Sequence, residues 1–225
     1  MKRFLHSEEG QGMMEYSLIV ALVSIMFIGS LAFFGSGLGD KFGGITNLIS
    51  IEQQDDGSYV ITTADGVYVL SSLGRLQGPY TGDETEISIP MTMSGFNIKE
   101  IYQDVFKGKG LTEVIFGEGN AITRIHARAF QNNELTSIVL PSNLTRIDLW
   151  AFRDNNLTSV ALPNSLTTIE QKAFDGNNIT RITIGSNVSS IGTGAFANNN
   201  DGFKSAYASG GAGSYVYING SWVKQ

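Results

Sequence analysis

The chain has no cysteine among its 225 residues. That excludes a disulfide scaffold, cysteine-based zinc sites, iron–sulfur clusters and thiol catalysis. Only two histidines occur, His6 and His126, too few for a multi-histidine metal site. Charge is also sparse, at 16 % of residues, with 15 Lys+Arg against 21 Asp+Glu and a net charge of −6. A nucleic-acid partner is therefore not expected, because such binders rely on a basic footprint. No GxxxxGK[ST] phosphate loop is present, and no carboxylate pair stands out for glycoside hydrolysis. A Ser-His-Asp triad would have to use His126, which sits inside a repeat and reads as a solvated surface histidine. The expectation is a non-enzyme with no metal and no cofactor. What the chain does have is glycine, 27 residues, above the usual ~7 % and so a sign of frequent turns.

Charge is absent altogether from Tyr16 to Gly39. The run from Leu18 to Phe34 is apolar on every helical face, as expected of a helix buried all round or lying in a bilayer. Its length is close to the ~20 residues of a membrane span. Lys2, Arg3 and His6 precede it, which places the N-terminus in the cytoplasm and the rest across the membrane. A cleaved secretory signal and a plain membrane anchor both fit the apolar run, but neither uses Glu15. An ionised carboxylate at the lip of an apolar helix is costly unless paired. Cutting after Gly10 would create a free amine at Gln11, four residues before Glu15. The amine of one subunit could then neutralise Glu15 of a staggered neighbour, and the apolar helices would bury one another.

The stretch Gly10-Gln11-Gly12-Met13-Met14-Glu15-Tyr16 resembles the class III prepilin processing motif of Flp (Tad-type) pilins. That motif is a glycine, four residues, Glu-Tyr and then an apolar helix. Gly35 to Phe42 also looks like the Flp helix end, so the resemblance covers about residues 1–50. It implies that Gly10 is the last leader residue and Gln11 the mature N-terminus. It makes Glu15 the assembly carboxylate and Tyr16 its companion aromatic. Cleavage at Gly12 is the alternative, but it would put Glu15 third rather than fifth. The implied partners are a prepilin peptidase, the pilus assembly machinery and further copies of the chain in a helical homopolymer. The implied location is the cytoplasmic (inner) membrane for the precursor and an extracellular filament afterwards. Flp pilins are usually little more than the helix, whereas about 175 residues follow here. A minor pseudopilin and a monomeric membrane-anchored adhesin therefore stay open as alternatives.

Gly35-Ser36-Gly37-Leu38-Gly39 lacks the preceding strand and spacing of a phosphate loop and reads as packing or flexibility near the helix end. A short amphipathic helix is expected to continue to Ser50. Gln53 to Ser58 is polar and reads as a linker. Tyr59–Thr63 and Val67–Leu70 flank Asp65-Gly66, a hairpin signal whose aromatic and β-branched face would shield the first coil of the repeat.

Then the repeat begins. Copies starting at Leu111, Leu135, Leu157 and Ile179 end in Ala-Phe pairs whose phenylalanines, Phe130, Phe152, Phe174 and Phe196, are 22 residues apart. A degenerate copy from Glu86 to Phe106 precedes them, giving five coils. This period with L-x-x-I-x-L spacing predicts a solenoid of parallel strands, five of them ~4.8 Å apart stacking over ~19 Å. One coil would turn Leu135, Ile138, Leu140, Leu144, Ile147, Ala151 and Phe152 inward. The asparagines between coils, Asn132-Asn133, Asn155-Asn156 and Asn177-Asn178, would bond buried backbone groups as a ladder. The Leu-Pro, Leu-Thr-x-Ile and Ala-Phe elements resemble BspA-type leucine-rich repeats over residues 85–200. That resemblance implies the fold, and it associates the domain with surface adhesion, with a host, cell-surface or glycan ligand as candidate partner. The outward strand positions Glu113, Ile115, Ser137, Val139, Ser159, Ala161, Arg181 and Thr183 form the candidate binding face. Several Asn-x-Ser/Thr sequons fall in the repeat and read as its by-products.

After Asp201 the repeat fails and aromatics crowd the end. Asn219-Gly220 predicts a type I′ hairpin, and Phe203, Tyr207, Tyr215, Tyr217 and Trp222 read as a cap, with a sugar-stacking platform as the alternative. The expected architecture is a long apolar α-helix followed by a β-rich leucine-rich-repeat solenoid with hairpin caps. Its segments are a leader at 1–10, a transmembrane and filament-core helix at 11–50, a linker and hairpin at 51–84, repeats at 85–200 and a cap at 201–225.

Overall fold

The computed structural model describes residues 48–63, 66–93, 95–196 and 200–225. The chain divides into two units, Met1–Thr46 and Asn47–Gln225. The leader, the apolar helix, Gly10, Gln11, Glu15 and Tyr16 lie outside the described residues. Among the described residues, no helix is long and apolar enough to cross a membrane.

The second unit opens with an antiparallel meander of β1 (Leu48–Gln53), β2 (Tyr59–Thr63), β3 (Gly66–Leu70) and β4 (Arg75–Gln77). The expected hairpin at 59–70 is present. The polar run at 53–58, however, is a turn and not a linker, and Leu48–Ser50 belong to a strand and not to a helix. Asp56 explains the turn. Its Oδ1 accepts bonds from the Ser58 backbone N–H at 2.9 Å and hydroxyl at 2.6 Å, the local bonding that lets Asp build turns.

From β4 onward the chain winds. β5 (Glu86–Ile89) is followed by a small hairpin of β6 (Thr92–Met93) and β7 (Phe96–Asn97), then by β8 (Glu100–Ile101), β9 (Glu113–Phe116), β10 (Arg124–Ile125) and β11 (Arg146–Ile147). β12 (Ser159–Ala161), β13 (Thr168–Ile169), β14 (Arg181–Ile184) and β15 (Ser190–Ile191) complete the coils. Each coil from β5 onward contributes to two parallel ladders, and β4 contributes to the first alone. One is continuous, β4-β8-β10-β11-β13-β15, with Leu76, Ile101, Ile125, Ile147, Ile169 and Ile191 in register. The other pairs β5 with β9 and β12 with β14, with Val139 bridging to Ala161. The first ladder has six rungs, so there is a coil more than the five expected. Its rung at Arg75–Gln77 lacks an Ala-Phe pair, and the β6–β7 insertion stretches the next coil beyond the regular period. Both features hid it from a search for 22-residue spacing.

All seven residues expected to point inward in the coil from Leu135 to Phe152 are buried. The phenylalanines stack. Phe106, Phe130, Phe152, Phe174 and Phe196 have neighbouring centroids 5.2 to 5.4 Å apart and interplanar angles of 5 to 9°. Tyr80 occupies the first place in this column. Its N–H donates to Val105 O as those of Phe130 and Phe152 donate to Ala151 O and Ala173 O. Tyr80 packs 5.5 Å from Phe106, and Tyr68 of β3 closes that end at 5.1 Å from Tyr80.

Beside the rings runs the asparagine ladder. Asn155 Oδ1 accepts the Leu135 N–H at 3.2 Å, while its Nδ2 donates to Phe130 O at 2.9 Å and Phe152 O at 3.1 Å. Asn133 and Asn177 repeat the arrangement, so each buried amide serves backbone groups of two coils. Left-handed corners recur in every coil, one set at Asp104, Arg128, Trp150, Lys172 and Gly194 with φ between 55 and 63°, and a second four residues on at Gly108, Asn132, Asp154 and Gly176. A non-glycine residue there costs about 1–2 kcal/mol. The N–H groups of Arg128 and Lys172 offset that cost by bonding Leu149 O at 3.0 Å and Thr193 O at 3.1 Å in the following coil.

At the far end, helix α1 (Asn200–Gly210) leads into the hairpin of β16 (Gly213–Ile218) and β17 (Ser221–Lys224). Asn219 and Gly220 have φ of 50 and 81°, as a type I′ turn requires. Phe203 meets Phe196 edge-on at 5.0 Å and is itself enclosed by Tyr215 and Trp222. Phe203, Tyr215 and Trp222 are buried, and the Tyr207 hydroxyl donates to Gly185 O at 2.8 Å. These rings are thus spent on closing the last coil, which corrects the sugar-platform alternative.

Two variants test which groups hold the stack. Phe152→Ala removes a ring from mid-column and is expected to cost about 3–5 kcal/mol. Asn155→Leu keeps the branching at Cγ, with somewhat bulkier ends, but orphans buried backbone groups, at about 1–3 kcal/mol or more. Urea unfolding of both reads these losses. A midpoint unchanged in Asn155→Leu would mean the amide ladder carries no stability.

Candidate functional site

The two ladders present two outward faces of different chemistry. Residues flanking the buried position of the continuous ladder pair opposite charges within and between neighbouring coils. Arg75 Nε donates to Glu100 Oε2 at 2.8 Å, and His126 Nε2 lies 2.9 Å from the same oxygen. Arg124 donates to Asp148 Oδ2 through Nε at 3.0 Å and Nη2 at 2.8 Å. Arg146 spans two coils, with Nε on Asp148 Oδ1 at 2.7 Å and Nη2 on Glu170 Oε1 at 2.6 Å. Tyr102 covers the His126 ring, with centroids 4.7 Å apart, and Arg75 lies over Tyr102.

His126 is therefore not the solvated histidine expected from the sequence. Its side chain is only 12 % exposed, and its Nδ1 is 3.7 Å from Asp148. Both ring nitrogens face carboxylates, so neither faces a serine hydroxyl as a triad requires. Among the described residues, no cluster of His, Asp and Glu could hold a metal ion. The Glu100 and Asp148 carboxylates are already taken by Arg75, Arg124 and Arg146.

Partial burial pushes the Glu100 carboxyl up, but the bonds from His126 and Arg75 outweigh it and hold the group below the usual carboxylate range. Asp104 is also held low, chiefly by its bond from Arg128, against the effect of burial. A depressed carboxylate stabilises the fold fully above its unfolded value of ~4.3. That stabilisation is lost as pH falls through the folded value.

The second face carries the residues expected from sequence. Glu113, Ser137, Val139, Ser159, Arg181 and Thr183 are all exposed, and the bounding strands hold them in two columns. Glu86 pairs with Glu113, Ser88 with Ile115, Ser159 with Arg181, and Val139 through Ala161 with Thr183, and Ser137 takes the corresponding repeat position beside Val139. Alternation explains the exposure, because Val114, Ile138, Val160 and Ile182 between them point inward and are buried. Ile115 is 53 % exposed and Val139 84 %. The repeat-core residues Phe130, Phe152, Phe174 and Phe196 form the interior column described above, away from either face.

The sequence reading brought this second face together and missed the first. The signal for the first was available in the positions beside the Leu-Thr-x-Ile isoleucines. There Arg124, Arg146 and Thr168 recur at one place, and His126, Asp148 and Glu170 at the next.

Glu100→Gln tests the charged face. It is expected to lower the thermal midpoint at pH 7 and to lower it less at pH 3, because the stabilisation from a depressed carboxylate declines once pH is below the unfolded group's value. An equal loss at both pH values would show that the ion pairs are idle.

Comparison with known proteins supports this architecture. The leucine-rich repeat protein of Treponema pallidum superposes with a TM-score of 0.51 at 23 % identity, covering 66 % of this chain and 64 % of that one. A leucine-rich repeat protein of Eubacterium ventriosum gives 0.45 at 20 % identity, covering 73 % and 47 %. A leucine-rich cell surface protein of Faecalibacterium prausnitzii gives 0.34 at 20 %, covering 61 % and 51 %. The chain thus spans less than two thirds of the length of each. No curated protein matches it. Residues 81–201, more than half of the chain, match the model of the BspA-type leucine-rich repeat region in six copies. With coils, amide ladder and phenylalanine column already in view, that match shows that the chain belongs to the BspA-type leucine-rich repeat family.

Proposed function

We propose that this protein displays its solenoid outside the cell as a binding module, and that its N-terminal segment carries it there as a pilin-like filament subunit. The first part is supported by a solenoid capped at both ends, with an outward strand face whose Glu113, Ser137, Ser159 and Arg181 form no ion pair with one another. Solenoids use such surfaces to bind partners. The Faecalibacterium relative's description as a cell surface protein agrees with display.

The second part rests on one observation, the joint pattern of Gly10, Glu15, Tyr16 and the uncharged run to Gly39. In this reading the chain is inserted as a bitopic precursor in the cytoplasmic membrane and cut between Gly10 and Gln11. It then polymerises through residues 11 to about 48. Burial of the apolar segments against one another supplies cohesion. Pairing of Glu15 with a neighbour's Gln11 amine supplies register, because a carboxylate in an apolar setting is costly without a partner. Prepilin peptidase and assembly machinery act on the precursor. The exterior solenoid meets a host, cell-surface or glycan ligand.

The size of the domain behind the helix favours a second reading, a monomeric anchored adhesin or a minor pseudopilin. Glu15→Ala separates them. The filament reading predicts a folded, cleaved precursor that yields no filaments, whereas wild-type chain does. Wild-type filament yield from Glu15→Ala would overturn it, and absence of filaments from the wild-type chain would favour the anchor.

A further inference from the structure

The face carrying Val139 has a charge pattern along the stack. Its parallel rungs, matched by strand pairing or by repeat position, are Glu86/Ser88, Glu113/Ile115, Ser137/Val139, Ser159/Ala161 and Arg181/Thr183, and β16 and β17 continue the sheet antiparallel beyond the fifth. Carboxylates stand on the first two parallel rungs, an arginine on the fifth, and the most exposed large apolar side chain on the third. Elsewhere arginine charge is matched within the molecule: Arg75, Arg124, Arg128, Arg146 and Arg153 all form ion pairs. Among the described residues, Arg181 is the one arginine without an ion pair, and Glu86 and Glu113 have none either.

We propose that this face is a self-association surface, and that its partner is the same face of a second copy, turned end for end. A two-fold axis lying in the face along the third rung sets Val139 against Val139 of the second copy. It sets Ile115 against Ala161 and Glu86 against Arg181, each contact occurring twice. The other in-plane two-fold, along the stack, would bring the glutamate ends together and the arginine ends together. Charge therefore selects the antiparallel arrangement. Five rungs at ~4.8 Å span ~19 Å, so the contact covers a few hundred Å² per partner, below the ~800 Å² of a standard interface. A single contact is weak, and arrays of displayed domains strengthen it through multivalency. The inference concerns the solenoid alone and does not depend on how residues 1–47 are used.

The absence of native cysteine makes the test clean. Full-length chain in detergent carries Val139→Cys or, as control, Ser88→Cys, and is treated with a short bismaleimide. Val139 lies on the axis, whereas Ser88 is four rungs, roughly 19 Å, from its symmetry mate. The proposal expects at least tenfold more crosslinked dimer from Val139→Cys. Any association through residues 1–47 is common to both variants and cancels. In the Val139→Cys background, Arg181→Glu alone and Glu86→Arg alone each place like charges opposite one another and should abolish the excess. Mixing the two variants restores opposite charges at both contacts and should restore it. Circular dichroism confirms that these surface variants fold. Equal crosslinking of Val139→Cys and Ser88→Cys overturns the proposal. So does a yield that the charge variants leave unchanged or that mixing fails to restore.

Discussion

A buried asparagine amide bonded to two successive coils is the constraint on which the rest of this domain depends. Turning the chain every 22 residues leaves backbone groups inside the corner, where water cannot reach them. Asn133, Asn155 and Asn177 supply both a donor and an acceptor there. An unpaired buried backbone group costs about as much as a lost hydrogen bond, so the amide must return at the same place in every coil. That requirement fixes the period, and the period fixes the ring column. Phenylalanines one coil apart stack at about 5.3 Å because the strands beside them are spaced by hydrogen bonds. A column of this kind has two open ends, which the molecule closes with Tyr68 and Tyr80 at one and Phe203, Tyr215 and Trp222 at the other.

The same periodicity builds the two faces, since anything that recurs every coil forms a line on the surface. On one face the lines are of opposite charge side by side, neutralised by pairing Arg75, Arg124 and Arg146 with Glu100, Asp148 and Glu170. Individual exposed pairs contribute little, but a connected network with partly buried carboxylates acts together. On the other face the line is short and uncharged at its centre. The first face is held in its own ion pairs, whereas the second carries, among the described residues, only the Thr183–Ser214 hydroxyl contact besides its exposed glutamates and Arg181, which makes it the better candidate for the proposed binding role.

Much of this was legible in the sequence because a repeat speaks several times. The 22-residue spacing of Phe130, Phe152, Phe174 and Phe196 located the coils, and strand alternation exposed Val139 while burying Ile138 and Leu140. Legibility failed where a signal occurred once. The first rung at Arg75–Gln77 uses Tyr80 in place of phenylalanine, so it did not match its successors. Helix α1 contains Gly202, Ser205 and Ser209, weak helix formers, and forms because Phe203 and Tyr207, four residues apart, pack together against the last coil. His126 looked isolated because its partners Glu100 and Asp148 lie more than 20 residues away and meet it only after winding. The left-handed corners at Arg128, Trp150 and Lys172 carry no glycine to announce them, since bonds to the next coil hold them in place.

How the solenoid is used depends on where the preceding segment takes it. Under the proposed function, that segment is trimmed and then polymerises. The most direct measurement is the intact mass and N-terminal sequence of the protein recovered from the cell exterior. A chain beginning at Gln11 is the predicted result. A surface-recovered chain still beginning at Met1 would contradict it, because no free amine would then stand near Glu15.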